Sequence, residues 1–156
     1  MTKRSTNMID FLVEKRNDKP SFSDNIKWNK NKDAYIIALN ELYKLVDKFL
    51  VNNFKKAGYK VKTRKEKTNI TEVFIGYYEV DKYLIVADNI EITFLPMGTI
   101  IASANGRVDM VFNFESIKII LNEADNKWKI VEGIAPFFKL KDFNEKNLLK
   151  ILKDNL

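Results

Sequence analysis

The stretch Phe94-Leu-Pro-Met-Gly-Thr-Ile-Ile-Ala-Ser-Ala-Asn-Gly-Arg-Val-Asp-Met-Val-Phe112 decides how this chain folds. Pro96 to Gly98 reads as a tight turn. Asn105-Gly106 is the strongest short hairpin signal a sequence offers, because a type I′ turn needs positive φ at both central residues. The flanking runs are apolar and β-prone, so a central hairpin is predicted. A two-residue loop there sets the register: Ala104 faces Arg107, Ser103 faces Val108, Ala102 faces Asp109, Ile101 faces Met110 and Thr99 faces Phe112. Side chains alternate between faces. Ile101, Val108, Met110 and Phe112 then form the core face. Ala102 and Ala104 lie beside Arg107 and Asp109 on the other, a shallow charged recess. Two readings compete there: Arg107 and Asp109 pair with each other, or they form a contact surface for a ligand or partner.

Outward from this hairpin the chain reads as a β-meander. Glu72 to Val80 is a strand, Asp81-Lys82 a turn and Tyr83 to Ala87 a second strand. An Asp88-Asn89 turn follows. Ile90, Ile92 and Phe94 alternate with Glu91 and Thr93 as in a half-buried strand. Ser116 to Leu121 and Lys127 to Val131 pair across the polar loop 122–126, with Trp128 and Ile130 inward. Gly133 and Pro136 break the pattern before Phe137, Phe138 and Leu140, read as an edge strand or a loop with aromatic anchors. Tyr77, Tyr78 and Tyr83 flank the Asp81-Lys82 turn and are read as exposed-looking aromatics that line a binding surface, or as ordinary strand residues.

The predicted long helix spans residues 33–57. Tyr35, Leu39, Leu42, Leu45, Val46, Phe49 and Asn53 trace its apolar stripe, widened by Ile36, Leu50, Val51 and Phe54. Asn31 or Asp33 caps its start, and Gly58 suits a left-handed C-terminal position after Lys55 and Lys56. Asp142-Phe-Asn-Glu145 has the spacing of a capping box. It opens a closing helix with Leu148, Leu149, Ile151 and Leu152 apolar. Residues 1–32 are polar and form an N-terminal extension. In it, Met8 to Val13 is a short apolar strap that docks on the body or on a partner, and Trp28 is an edge anchor or a base-stacking ring.

Short connections imply antiparallel neighbours, so the expected fold class is α+β. It is a bent antiparallel meander of about six to eight strands packed on one long helix, with a C-terminal helix. Residues 33–156 are read as a single domain behind the extension.

Charge and absent residue types bound the function. Residues 1–67 carry 17 Lys and Arg against 8 Asp and Glu, whereas residues 68–156 carry 10 against 13. The sharpest basic feature is Lys55, Lys56, Lys60, Lys62, Arg64, Lys65 and Lys67 against Glu66 alone. It reads as an edge strand protected from unwanted pairing, or as a face for a phosphate backbone. The chain contains no Cys and no His. Disulfides, thiolate nucleophiles, Cys-ligated zinc and the usual neutral-pH general base are therefore excluded. No phosphate-binding Gly loop and no metal-ligand spacing occurs. The acids Glu72, Glu79, Asp81, Glu91 and Asp109 read as solvated unless the fold brings two together. No catalytic, cofactor-binding or metal-binding residue is assigned, and the balance leans away from an enzyme. No apolar run approaches a membrane span, and residues 1–7 precede no secretory signal, so a cytoplasmic protein is expected.

The run Glu72…Gly76-Tyr77…Pro96-Met97-Gly98-Thr99…Gly106-Arg107-Val108-Asp109, continuing through Trp128 to Pro136 and the closing helix, resembles a pattern in small uncharacterised bacterial proteins. That resemblance implies no activity. A long helix followed by strands ending in Asn126-Lys-Trp-Lys-Ile-Val131 is similar in style to cystatin-like and nuclear-transport-factor-2-like folds. Those place a helix in the curve of a sheet and often form a pocket. The closing helix is an addition to that pattern and the usual pocket His is absent. Three functional expectations result. The first is a non-catalytic protein-binding module or accessory subunit, with a protein partner or a second copy and a suggested role in defence or immunity. The second is nucleic-acid binding through the basic 55–67 face. The third is a small-ligand pocket between helix and sheet.

Overall fold

The computed structural model describes residues 7–10, 12, 22–73, 75–99, 104–133 and 136–156, with the side chains of 22–28 left aside. Helix α1 (Phe22–Val46) passes through a π-helical turn (Asp47–Val51) into α2 (Asn52–Lys56). Seven strands follow: β1 (Val61–Glu72), β2 (Gly76–Ala87), β3 (Ile90–Gly98), β4 (Ala104–Phe112), β5 (Glu115–Asn122), β6 (Trp128–Glu132) and β7 (Lys139–Asp142). Helix α3 (Glu145–Asn155) closes the chain. Each strand pairs antiparallel with the next, so the sheet is a meander in sequence order with β1 and β7 at its edges. The expected α+β class holds.

One sheet face is buried against the helices. Across it, Ile85 faces Ile92, Phe94 faces Met110, and Val108, Ile119 and Ile130 form one row. Tyr35, Leu39, Leu42, Tyr43 and Val46 of α1 fill the space above these residues. Leu50, Val51 and Phe54 continue the helical stripe past the π turn. The wider π turn rotates the later residues, which is why Leu50 and Phe54 are buried while Asn53, placed on the stripe by 3.6 periodicity, is exposed. The helix ends as the sequence indicates. Gly58 has φ +93°, its N–H donates to the Lys55 carbonyl, and Tyr59 N–H donates to the Phe54 carbonyl. The Phe54 and Tyr59 rings meet edge-on, adding the apolar contact of a Schellman cap.

Several local expectations are corrected. The long helix starts at Phe22, not near Asp33, so Asn31 and Asp33 lie within it and cap nothing. Asn105-Gly106 is not a turn. Both residues lie inside β4, where the register against β5 shifts between Ala104 and Gly106, leaving Asn105 as the extra residue of a bulge. Strand β3 ends at Gly98 and β4 begins at Ala104; Ile101, Ala102 and Ser103 of the expected register lie outside the described residues. Met110 faces Phe94, not Ile101. Pro96 to Gly98 also lies in a strand with a register shift, Gly98 taking φ +123°. Gly106 serves a different need from a turn: a Cβ there would lie 2.4 Å from Cδ1 of the buried Tyr35 ring. Positive φ at two consecutive turn residues occurs instead at Asn113 (+47°) and Phe114 (+64°), between β4 and β5. Asp81-Lys82 is likewise no turn but the middle of β2. The buried parity switches there: Tyr78 and Val80 are buried before it, Tyr83 and Ile85 after it. Asn144, not Asp142, caps α3, its side chain accepting from Asn147 N–H at 2.9 Å.

These placements fix two stability outcomes. Gly106→Ala forces a buried ring to move and should cost about 1–3 kcal/mol. Phe114→Gly relieves a bulky residue at positive φ and should stabilise by about 0.5–1 kcal/mol. Denaturant unfolding of both variants checks the pair.

Candidate functional site

Three tyrosines lock helix to sheet, and a fourth ties strand to strand. Tyr35 Oη donates to the Arg107 carbonyl at 2.6 Å and accepts from Gly98 N–H at 3.3 Å. Tyr43 Oη donates to the Asp81 carbonyl at 2.5 Å, and its ring stacks on Tyr83 with centroids 5.1 Å apart. Tyr83 donates to the Asp47 carboxylate. Tyr78 donates to Glu72, whose Oε1 also accepts from Thr99 N–H at 2.6 Å, tying the tip of the β1–β2 hairpin to the end of β3. Glu72 is thus a bonded structural acid rather than a solvated one. No local pattern signals this, because Glu72 and Thr99 are 27 residues apart and meet only in the folded chain.

Of the expected aromatic surface, only Tyr77 is exposed, while Tyr78 and Tyr83 are interior. Arg107 and Asp109 pair side by side, Nε to Oδ1 at 2.8 Å and Nη2 to Oδ2 at 3.0 Å. They sit on the face opposite the helix, where Asp109 is almost fully buried.

The basic residues divide. On β1, Lys62 and Arg64 share one face, and Lys65 and Lys67 the other. Arg64 meets Glu66 at 2.6 Å, Lys82 meets Glu66 at 3.4 Å, and Lys67 meets Asp81 at 2.9 Å. Lys65 Nζ lies 6.0 Å from the Tyr43 ring centroid. Among the described residues, Lys55, Lys56, Lys60 and Lys62 take part in no ion pair. They follow one another from the end of α2 into edge strand β1.

The opposite edge, β7, is Lys139-Leu140-Lys141-Asp142, with two aromatics just before it. Phe137, Phe138 and Leu140 are 83, 51 and 46% exposed beside and within β7. Leu140 pairs with the partly exposed Val131, and Lys118 Nζ lies 5.7 Å from the Phe138 ring centroid. Lys129 braces this edge through Asp142 at 2.5 Å and Asp125 at 3.0 Å. Phe137 and Phe138 are therefore not inward anchors. Burying two such side chains yields about 1.5–3 kcal/mol each. An exposed ion pair contributes about 0–1 kcal/mol. The β7 edge is the stronger source of affinity for a protein, whereas the β1 edge offers long-range charge. Among the described residues, no three acids gather into a metal-binding group, and no helix is long and apolar enough to cross a membrane.

Comparison with family models, curated proteins and solved structures finds no match to this chain.

Burial pushes the phenol of Tyr83 up to about 12, helped by its bond to Asp47. Burial likewise holds Tyr35, Tyr43 and Tyr78 well above the ordinary tyrosine range, with the Glu72 bond adding to the effect at Tyr78. Below about pH 10 these phenols are protonated in both folded and unfolded chains, so their contribution to stability is complete. Above it the unfolded chain ionises first. Stability should therefore fall as pH rises through 10 towards 12. In an alkaline titration followed by tyrosinate absorbance, these four phenols should ionise only as the fold is lost.

Proposed function

We propose that this chain is a non-catalytic protein-binding module that engages its partner through the β7 edge. The observation that carries this reading is the concentration of Phe137, Phe138 and Leu140 at one end of the sheet, beside Val131. Isolated exposed apolar residues are ordinary, but Phe137 and Phe138 beside Leu140 gather three at one sheet margin, and such a cluster is a surface that proteins normally cover. The tyrosine and Arg107–Asp109 bonds support it further: their polar groups are occupied in holding the fold together. An accessory subunit of a complex, of the kind found in defence or immunity, suits such a module. A photo-crosslinking residue in place of Phe138 or Leu140 should capture a specific protein in cells. The same residue in place of Thr93, on β3 away from this edge, should not. Equal capture at both positions would remove the β7 edge from consideration.

The second reading is nucleic-acid binding along α2 and β1, supported by the run of cations outside ion pairs at Lys55, Lys56, Lys60 and Lys62. Fluorescence anisotropy with single- and double-stranded RNA and DNA tests it. Binding that weakens steeply with salt, and weakens again in a Lys60→Glu, Lys62→Glu variant, is the expected signature. Salt-independent or absent binding leaves these lysines as edge protection. A ligand pocket between helix and sheet has less support, since Tyr35, Leu42, Tyr43 and Phe94 fill that space.

A further inference from the structure

The sheet divides at one place. Among the described residues, the paired register between β5 and β6 stops at Ile119–Ile130. Yet β5 runs back to Glu115 beside β4, and β6 runs on to Glu132 beside β7. Where the two strands part, a cleft of about 510 Å³ opens, with α3 along its inner side.

Hairpin geometry fixes which groups face this cleft. Asn122 N–H donates to the Lys127 carbonyl at 2.9 Å. The even-numbered residues of β5 therefore direct their backbone groups towards β6. The N–H groups of Ser116 and Lys118 point into the cleft, past the end of the ladder. Side chains alternate between the two faces. Ile117 takes the helix side, opposite the buried Met110, and lines the cleft there with Ile130 and Ile151. Ser116 and Lys118 take the outer side, where Lys118 Nζ lies 5.7 Å from the Phe138 ring centroid. One wall thus offers backbone donors, the inner side is apolar, and the outer side carries a cation over an aromatic ring.

Charge narrows what this cleft takes. Lys118 and Lys150 line it with Glu132 and Asp154, and Lys139 and Lys141 of the adjoining β7 add two more cations. Asp142 of β7 is held by Lys129. Among the described residues, none of Lys118, Lys139, Lys141 and Lys150 takes part in an ion pair. The surroundings are basic on balance and complement an acidic chain.

We infer that the protein partner enters this cleft as an extended acidic segment that pairs with Ser116–Lys118 of β5 as an added strand. Its apolar residues turn inward to Ile130 and Ile151, and its acidic residues alternate with them beside Lys118. Successive strand residues advance about 3.3 Å, so the stretch from Glu115 to Lys118 takes about four residues of the partner. This rests on the protein-binding reading, because Phe138 belongs to both surfaces, and it adds the chemistry of the segment that binds.

A phage-displayed library of random nonapeptides, selected on the full-length protein, tests the inference. Selected peptides should alternate apolar and acidic residues. Made synthetically, they should slow hydrogen exchange of the Ser116 and Lys118 amides about tenfold or more. Lys118→Glu should weaken their binding about tenfold or more, and so should methylation of a peptide backbone nitrogen that pairs with β5. Two results would overturn the inference: no enrichment of any peptide, or bound peptides that leave both amides exchanging as in the free protein. Crosslinking at Phe138 separates this from the underlying reading. A captured partner whose complex leaves both amides unchanged keeps the protein-binding reading and overturns the added strand.

Discussion

A phenol ring pressed against a glycine is the constraint on which the rest of this molecule depends. Tyr35 reaches the sheet only because Gly106 has no Cβ to meet its ring. Once there, its hydroxyl bonds to the backbone of both β3 and β4, accepting from Gly98 and donating to the Arg107 carbonyl. Those two strands have register shifts at this place. A bulge leaves backbone groups out of the ladder, and buried backbone groups need partners. One side chain from the helix supplies bonds to both strands and sets the position of the helix over the sheet. Tyr43 repeats the device at Asp81, where β2 changes its buried face. Trp128 reverses it, donating from the sheet to the Ala38 carbonyl of the helix at 3.0 Å.

This arrangement explains which parts of the fold were legible in the sequence. Alternation of apolar residues marked β3, β5 and β6, and the inward positions of Trp128 and Ile130 followed from it. The Gly58 cap was legible because its signal is local, a glycine after two lysines at the end of an apolar stripe. What failed were signals that have more than one physical cause. Asn105-Gly106 looks like a type I′ turn, yet Gly106 answers the need for close approach by Tyr35, a residue more than seventy positions earlier in the chain. The two consecutive positive-φ residues of the β4–β5 connection, Asn113 and Phe114, include a bulky aromatic that no turn preference would select. Asp81-Lys82 looked like a turn because polar residues interrupted the apolar pattern, when a strand was instead exchanging its buried face.

The candidate surfaces follow the same division. That a basic edge strand begins near residue 60 was readable from the alternation of lysines, although the strand starts at Val61 and runs on to Glu72. Which cations remain outside ion pairs was not, because Glu66, Asp81 and Lys82 reach them across strands. Phe137, Phe138 and Leu140 mark a sheet margin in the sequence, but whether an aromatic there points in or out is decided by packing and not by local pattern. Leu50 and Phe54 share one groove with Leu148, and they come into line there past the π turn. A pattern based on 3.6 residues per turn places Asn53 on the stripe instead.

The central claim is that helix α1 and the middle of the sheet form one cooperative unit, joined at Tyr35. Native-state amide hydrogen exchange tests this most directly. The account predicts that the amides of Leu39–Val46 exchange at the same free energy as those of β3, β4 and β5, through global unfolding, with the Gly98 amide protected alongside them. Exchange of the α1 amides at a distinctly lower free energy than the sheet, with Gly98 unprotected, would show that the helix opens independently and would contradict it.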